Sequence, residues 1–221
     1  MKPIQYTSLF LLAIVALTAC SRKKDTFLNK KFHAVSTEYN TLFNGNNAFI
    51  QGKEAIAQTY RDDFYQILPV ERIEVVDLDG FDTDSKDPNF NKAEEKAVKA
   101  IQKHSMYIGG KEYNPQIDEA YMLLGKARYY DNRFIPALEA FNYILFKYPA
   151  SSNINLAKIW RAKTNLRLQN EETAIENLKR LIAQEPLSKN DRVEAASTLA
   201  QAYITTKSLD SAITQLQVAS Q

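Results

Sequence analysis

Three stretches of the carboxyl-terminal half can be laid over one another: DEAYMLLGKARYYDNRFIPALEAFNYILFKYP, AKIWRAKTNLRLQNEETAIENLKRLIAQEP and DRVEAASTLAQAYITTKSLDSAITQLQVAS. Each has apolar residues at helical spacing, a short polar turn and a second helical run, so each reads as helix, turn, helix. In the overlay, small residues coincide at Gly125, Ala162 and Ala200 in the first helices. They coincide again at Ala137, Ala174 and Ala212 in the second helices, 37 and 38 residues apart. Two helices in close antiparallel contact need small residues where their backbones approach. Phe141, Leu178 and Leu216 are expected to fill the next layer, and Pro149 and Pro186 stop the second helices of the first two units. Such units bury their apolar faces only against their neighbours, so the expected fold is all-α and built by stacking hairpins.

The first unit, with Tyr121, Leu124, Gly125, Ala137, Phe141 and Pro149, resembles the tetratricopeptide pattern, whose period is about 34 residues. Arg128 stands where that pattern usually has Tyr, and Trp160 and Arg161 replace the usual spacing of large residues in the second unit. The expected array covers residues 92–221, with repeats at about 117–149, 154–186 and 191–221, entered by a helix from Lys92 to Met106. It ends inside its third repeat without a polar capping helix, as a piece of a longer protein would. Upstream, 31–68 reads as a degenerate hairpin with Gly52 in its turn and Ala55 at the close contact. Residues 69–91 are Asp-rich and contain Gly80 and Pro88, which predicts an extended acidic linker. Strand-like alternation is confined to ERIEVVDLDG, and MYIGGKEY reads as a turn between helices.

The amino terminus has a secretory layout: Lys2, then no further charge from Ile4 to Ala19, closing on Leu17, Thr18, Ala19 and Cys20. This run is short for a bilayer, which takes roughly 20 apolar residues. Its ending resembles a bacterial lipobox, in which a peptidase cuts before a cysteine that then carries the lipid. Residues 1–19 would be the signal peptide, Cys20 the lipidation site and 20–30 a tether. Cys20 is the single cysteine of the chain, so no internal disulfide can form. Several acyl chains, at about 0.8 kcal/mol per buried methylene, anchor a protein durably. Ser21 in place of Asp, by resemblance to bacterial sorting signals, permits transfer to the outer membrane, and Arg22, Lys23 and Lys24 suit a solvated tether at headgroups. No acidic surface-export signal follows, so the periplasmic face is expected.

Little else suggests chemistry. With 28 basic and 26 acidic residues, the formal charge of +2 supplies no field to attract nucleic acid. Asp77, Asp79, Asp82, Asp84 and Asp87 supply oxygen ligands, but the glycine offset and closing glutamate of a helix-loop-helix calcium site are missing, so a solvated acidic loop is expected. His33 and His104 are the only histidines and do not make a usual zinc site, and Glu94 with Glu95, or Glu171 with Glu172, sit on charged helix faces. No enzyme and no cofactor are expected.

A partner surface is easier to place. In tetratricopeptide stacks the concave surface is formed by the first helices. The overlay sets Met122, Lys126, Tyr129 and Tyr130 of one repeat beside Ile159, Lys163, Leu166 and Arg167 of the next. That surface is aromatic, aliphatic and basic, suited to an extended or helical segment with carboxylates.

Together with the lipobox, FHAVSTEYNTLFNGNNAF, ILPVE, KAIQKHSMYIGGKEYNPQIDEAYMLLGKARYY and FIPALEAFNYIL resemble the amino-terminal part of the SprE/PorW periplasmic lipoproteins of the type IX secretion and gliding machinery of Bacteroidetes. The resemblance covers nearly the whole chain, although family members are much longer. It implies an outer-membrane-anchored adaptor connecting the periplasmic motor and ring components with the outer-membrane translocon. Two alternatives share parts of this layout: a lipoprotein of outer-membrane β-barrel assembly, and a cell-wall hydrolase or its regulator.

Overall fold

The structure is a computed structural model that describes residues 22–74, 87–184 and 186–220. The expected signal peptide, Cys20, and Asp77, Asp79, Asp82 and Asp84 lie outside the described residues.

The described chain is all-α apart from one small ribbon. Helix α1 (Phe27–Ser36) starts where the Thr26 hydroxyl accepts from the Asn29 amide, and it runs through a π-helical turn (Thr37–Leu42) into α2 (Phe43–Thr59). Helix α3 (Pro88–His104) begins at Pro88 because the Asp87 carboxylate accepts from the Asn89 and Phe90 amides, and proline at the first position needs no amide partner. The stretch expected as a plain turn is a two-stranded antiparallel ribbon, β1 (Tyr107–Ile108) with β2 (Lys111–Glu112), closed by Gly109 and Gly110 at φ +58° and +86°. Then follow α4 (Ile117–Tyr130), α5 (Phe134–Lys147), α6 (Ile154–Arg167), α7 (Glu171–Gln184), α8 (Lys189–Thr205) and α9 (Leu209–Ala219).

The three expected units share one turn. Asn132, Gln169 and Lys207 all adopt left-handed backbone, at φ 60°, 60° and 59°, and each stands five residues before the overlaid Ala137, Ala174 or Ala212. The hydrogen bonds repeat as well: the amides of Arg133, Asn170 and Ser208 donate to the carbonyls of Arg128, Asn165 and Tyr203 at 2.8, 2.9 and 2.8 Å. This is the two-bond helix stop that needs a left-handed residue just past the last turn.

Each helix from α2 onward packs on the next, and the first helices of successive hairpins, α2, α4, α6 and α8, also touch in sequence. Shape complementarity fixes the spacing. A Cβ on Gly125 would stand 2.5 Å from the Phe141 ring, so it is this ring, from the layer after Ala137, that fills the space at Gly125. Ala137 itself is fully buried.

Gly52 repeats the arrangement, and this corrects the expected hairpin. It lies within α2, not in a turn, and a Cβ there would stand 2.6 Å from Phe90 of α3. The helix partner of α2 is therefore α3, reached across the long connection, because the Phe90 ring needs the same bare backbone that Gly125 offers Phe141. Leu216 departs from its counterparts: Phe141 and Leu178 are fully buried, whereas Leu216 is 40% exposed, since among the described residues no helix covers that side of α9.

The connection between α2 and α3 is also not a plain linker. Ile73 is buried at 6% exposure in the aromatic core with Phe90, Tyr130 and Trp160, which draws residues 70–73 back onto the first helices.

Candidate functional site

Helices α2, α4, α6 and α8 line a groove of about 740 Å³. Its floor follows from helical phase. Lys126, Tyr129 and Tyr130 share one face of α4, and Trp160, Lys163 and Arg167 share one face of α6 at steps of three and four residues. Lys53 of α2 and Glu194 of α8 stand on the two walls.

Residues 70–73 cross this groove, and Glu71 is their anchor. Its carboxylate accepts from the Tyr129 hydroxyl at 2.5 Å, the Tyr130 hydroxyl at 3.1 Å, the Lys163 ammonium at 3.3 Å and the Arg167 guanidinium at 3.0 Å. Arg167 also donates to the Tyr129 oxygen at 2.8 Å, and Lys163 donates to Glu194 at 2.9 Å. On one side of the anchor the Val70 amide donates to the Gln201 side chain of α8 at 2.7 Å; on the other Arg72 pairs with Asp62. The carboxylate is thus held by α4 and α6, and the backbone one residue before it by α8.

Electrostatics match the geometry. Burial works to raise the Glu71 pKa, but Lys163, the Tyr129 hydroxyl and Arg167 outweigh it and hold the carboxyl at about 2. Burial opposes the charge on Lys163, yet Glu71 and Glu194 together push its pKa up. Burial, and then the Glu71 charge, drive the Tyr129 hydroxyl well above its ordinary value, so it stays a proton donor.

Two cations of the groove are not consumed in this way. Lys126 lies over the Trp160 ring, 5.2 Å from its centroid, and Lys53 lies over the Tyr130 ring at 5.3 Å. Neither forms an ion pair among the described residues. Burial lowers the Lys126 pKa, Lys163 and Lys53 lower it further, and Glu194 opposes them. Trp160, also beneath Lys163 at 4.4 Å, has a buried indole N–H without a hydrogen-bond partner among the described residues.

Six of the residues expected at the partner surface, Lys126, Tyr129, Tyr130, Lys163, Leu166 and Arg167, line one groove. Two do not. Met122 is buried at 3% exposure in the aromatic core, and Ile159 is fully buried against α7 and α8 because it stands about 100° round the helix from Trp160. Glu71, Lys53, Trp160 and Glu194 were not anticipated. The signal for Glu71 was Ile73: an apolar residue beside a charged one in an otherwise acidic stretch seeks the core and carries its neighbour with it.

Elsewhere, Glu94 is not a solvated surface carboxylate: it pairs with Arg128 at 2.8 Å and with Arg133, which also bonds Asp131. Arg128, where the repeat pattern has Tyr, therefore ties α4 to α3. The two histidines meet, His33 Nδ1 lying 3.1 Å from His104 Nδ1. Among the described residues, no group of three or more His, Cys, Asp or Glu side chains is placed to hold a metal ion, and no helix is long and apolar enough to cross a membrane. No protein-family model matches the chain, and no curated protein matches it.

Proposed function

We propose that the chain is a tetratricopeptide-like hairpin stack that serves as an adaptor of the type IX secretion system, anchored by lipid at Cys20 to the periplasmic face of the outer membrane. It links the periplasmic motor and ring components with the translocon and supports secretion and gliding. It binds rather than transforms, and it needs no cofactor. The likeness to the SprE/PorW lipoproteins and the lipobox support the cellular assignment.

The observation that carries the binding role is the seat of Glu71. The groove already holds a bent, non-helical stretch of polypeptide by the means such a site would use on a partner: a charged clamp for a side chain, a side-chain amide for the backbone and aromatic walls. Deletion of the gene tests the role. Loss of secreted cargo with normal outer-membrane barrels is expected. Defective barrels would instead favour β-barrel assembly, and hydrolysis of purified peptidoglycan by the protein would favour the cell-wall alternative.

A further inference from the structure

The groove is unevenly filled. Lys53, Lys126, Lys163 and Arg167 face it, whereas among the described residues the only carboxylates lining it are Glu71 and Glu194; Arg72 is occupied by Asp62. Both carboxylates converge on Lys163, and Glu71 also takes Arg167. Among the described residues Lys126 and Lys53 are therefore left without an ion-pair contact over Trp160 and Tyr130, although Glu194 and Glu119 act on Lys126 from further away. Like charges at close quarters in a partly desolvated cleft repel, and an anion entering there relieves the repulsion. The Trp160 ring beneath Lys126 belongs to a residue only 5% exposed, and its indole N–H has no acceptor among the described residues.

Resting on the adaptor reading, we propose that the Lys126–Lys53 end of the groove binds a glutamate or aspartate side chain of an extended, acidic partner peptide, seated at these two lysines beside the internal Glu71. The peptide identity of the ligand follows from three features. Glu71 shows how the groove holds a carboxylate borne on a non-helical backbone. Phe49, Ile56, Leu166 and Val193 give the groove apolar walls that a small anion has no use for. Its volume of about 740 Å³ far exceeds what one small anion needs.

Trp160 is the only tryptophan of the chain, so its emission reports on this end of the groove directly. The full chain in detergent is titrated with a blocked octapeptide carrying two glutamates among small polar residues, with the same peptide bearing glutamine in their place, and with inorganic phosphate. A saturable change in Trp160 emission with the glutamate peptide is expected, weakening steeply as salt rises. The glutamine peptide should bind at least about tenfold more weakly, and so should Lys126→Gln and Lys53→Gln proteins toward the glutamate peptide. Since neither lysine forms an ion pair among the described residues and each loses only a ring contact, both variants should melt close to the wild type, and either one alone suffices for the comparison. No saturable change into the millimolar range, equal binding of the glutamine peptide, indifference of both variants, or phosphate binding as tightly as peptide would each overturn the proposal. Normal cargo secretion in a Lys53→Gln, Lys126→Gln strain, set beside failed secretion in the deletion strain, would remove the groove and leave the adaptor role standing. Peptide binding without any secretion defect on deletion would do the reverse.

Discussion

Glu71 and Arg167, 96 residues apart in the chain, meet at 3.0 Å beside the hydroxyl of Tyr129. This contact ties the connection between α2 and α3 to the second of the repeated hairpins, so it bears on both the integrity of the stack and the filling of its groove. The Glu71 carboxyl is held at about 2 against an ordinary 4.5. A carboxyl depressed in the folded state stabilises fully above its unfolded pKa and loses that contribution as pH falls through the folded one. The stabilisation is thus complete above about pH 4.5 and gone near pH 2, and its full size is on the order of 3 kcal/mol. Glu71→Gln should lower the urea midpoint at pH 7, and its deficit against wild type should shrink as pH drops from 4.5 toward 3. A deficit that stays constant over that range would show that the carboxylate charge is not what holds the connection.

Gly125 and Phe141 define how closely α4 and α5 pack, with 2.5 Å between a would-be Cβ and the ring. On helix propensity alone Gly125→Ala should stabilise by up to about 1 kcal/mol. Here the methyl has no room, and the outcome should be a loss of about 1–3 kcal/mol in denaturant unfolding. Phe141→Leu, itself destabilising, should remove most of that extra loss in the double variant; additive losses would place the clash elsewhere.

The shared hairpin turn makes the opposite sort of prediction. Gln169 and Lys207 hold left-handed backbone that glycine adopts without strain. Gln169→Gly and Lys207→Gly should each be neutral to stabilising, by up to about 1 kcal/mol, despite the greater freedom glycine gives the unfolded chain. A loss of more than about 1 kcal/mol at either site would be at odds with the left-handed turn.

His33 and His104 form a bond between their Nδ1 atoms, which requires one ring to present a bare nitrogen. Burial holds His104 below its ordinary 6.5, helped by His33, Lys99 and Arg22. A histidine with a depressed folded pKa stabilises above its unfolded pKa and ceases to do so as pH falls through the lower folded value. The attachment of α1 to α3 should therefore loosen below about pH 6.5. Hydrogen exchange of the 27–42 amides, corrected for intrinsic rate, should show lower protection at pH 5.5 than at pH 7.5, and His104→Gln should flatten the difference. Equal protection at both pH values would contradict the pairing.

The hairpin stack was legible because small residues recur in register and helix stops follow them, both local signals. The partner of α2 was not, because the Gly52–Phe90 contact spans a long connection whose length is no part of the repeat. Six groove residues could be placed by overlay, since helical phase alone sets them on one face. Met122 and Ile159 could not be separated from them that way, because the phase of a short motif is uncertain by about one residue, and one residue turns a helix by about 100°. Glu71 was out of reach of periodicity altogether. It belongs to no helix, and its place depends on four groups contributed by two helices far along the chain.

The adaptor account is tested most directly by affinity purification of the tagged full chain from envelope membranes, run beside a Lys53→Glu, Lys126→Glu variant. Wild type should bring down type IX motor, ring or translocon components, and the variant should recover markedly less of them while keeping the wild-type melting temperature, because charges at a groove act mainly on association. Recovery of barrel-assembly proteins instead, or equal recovery of secretion components by both proteins, would contradict it: the first result would displace the type IX assignment, and the second would show that the partners are bound through another face.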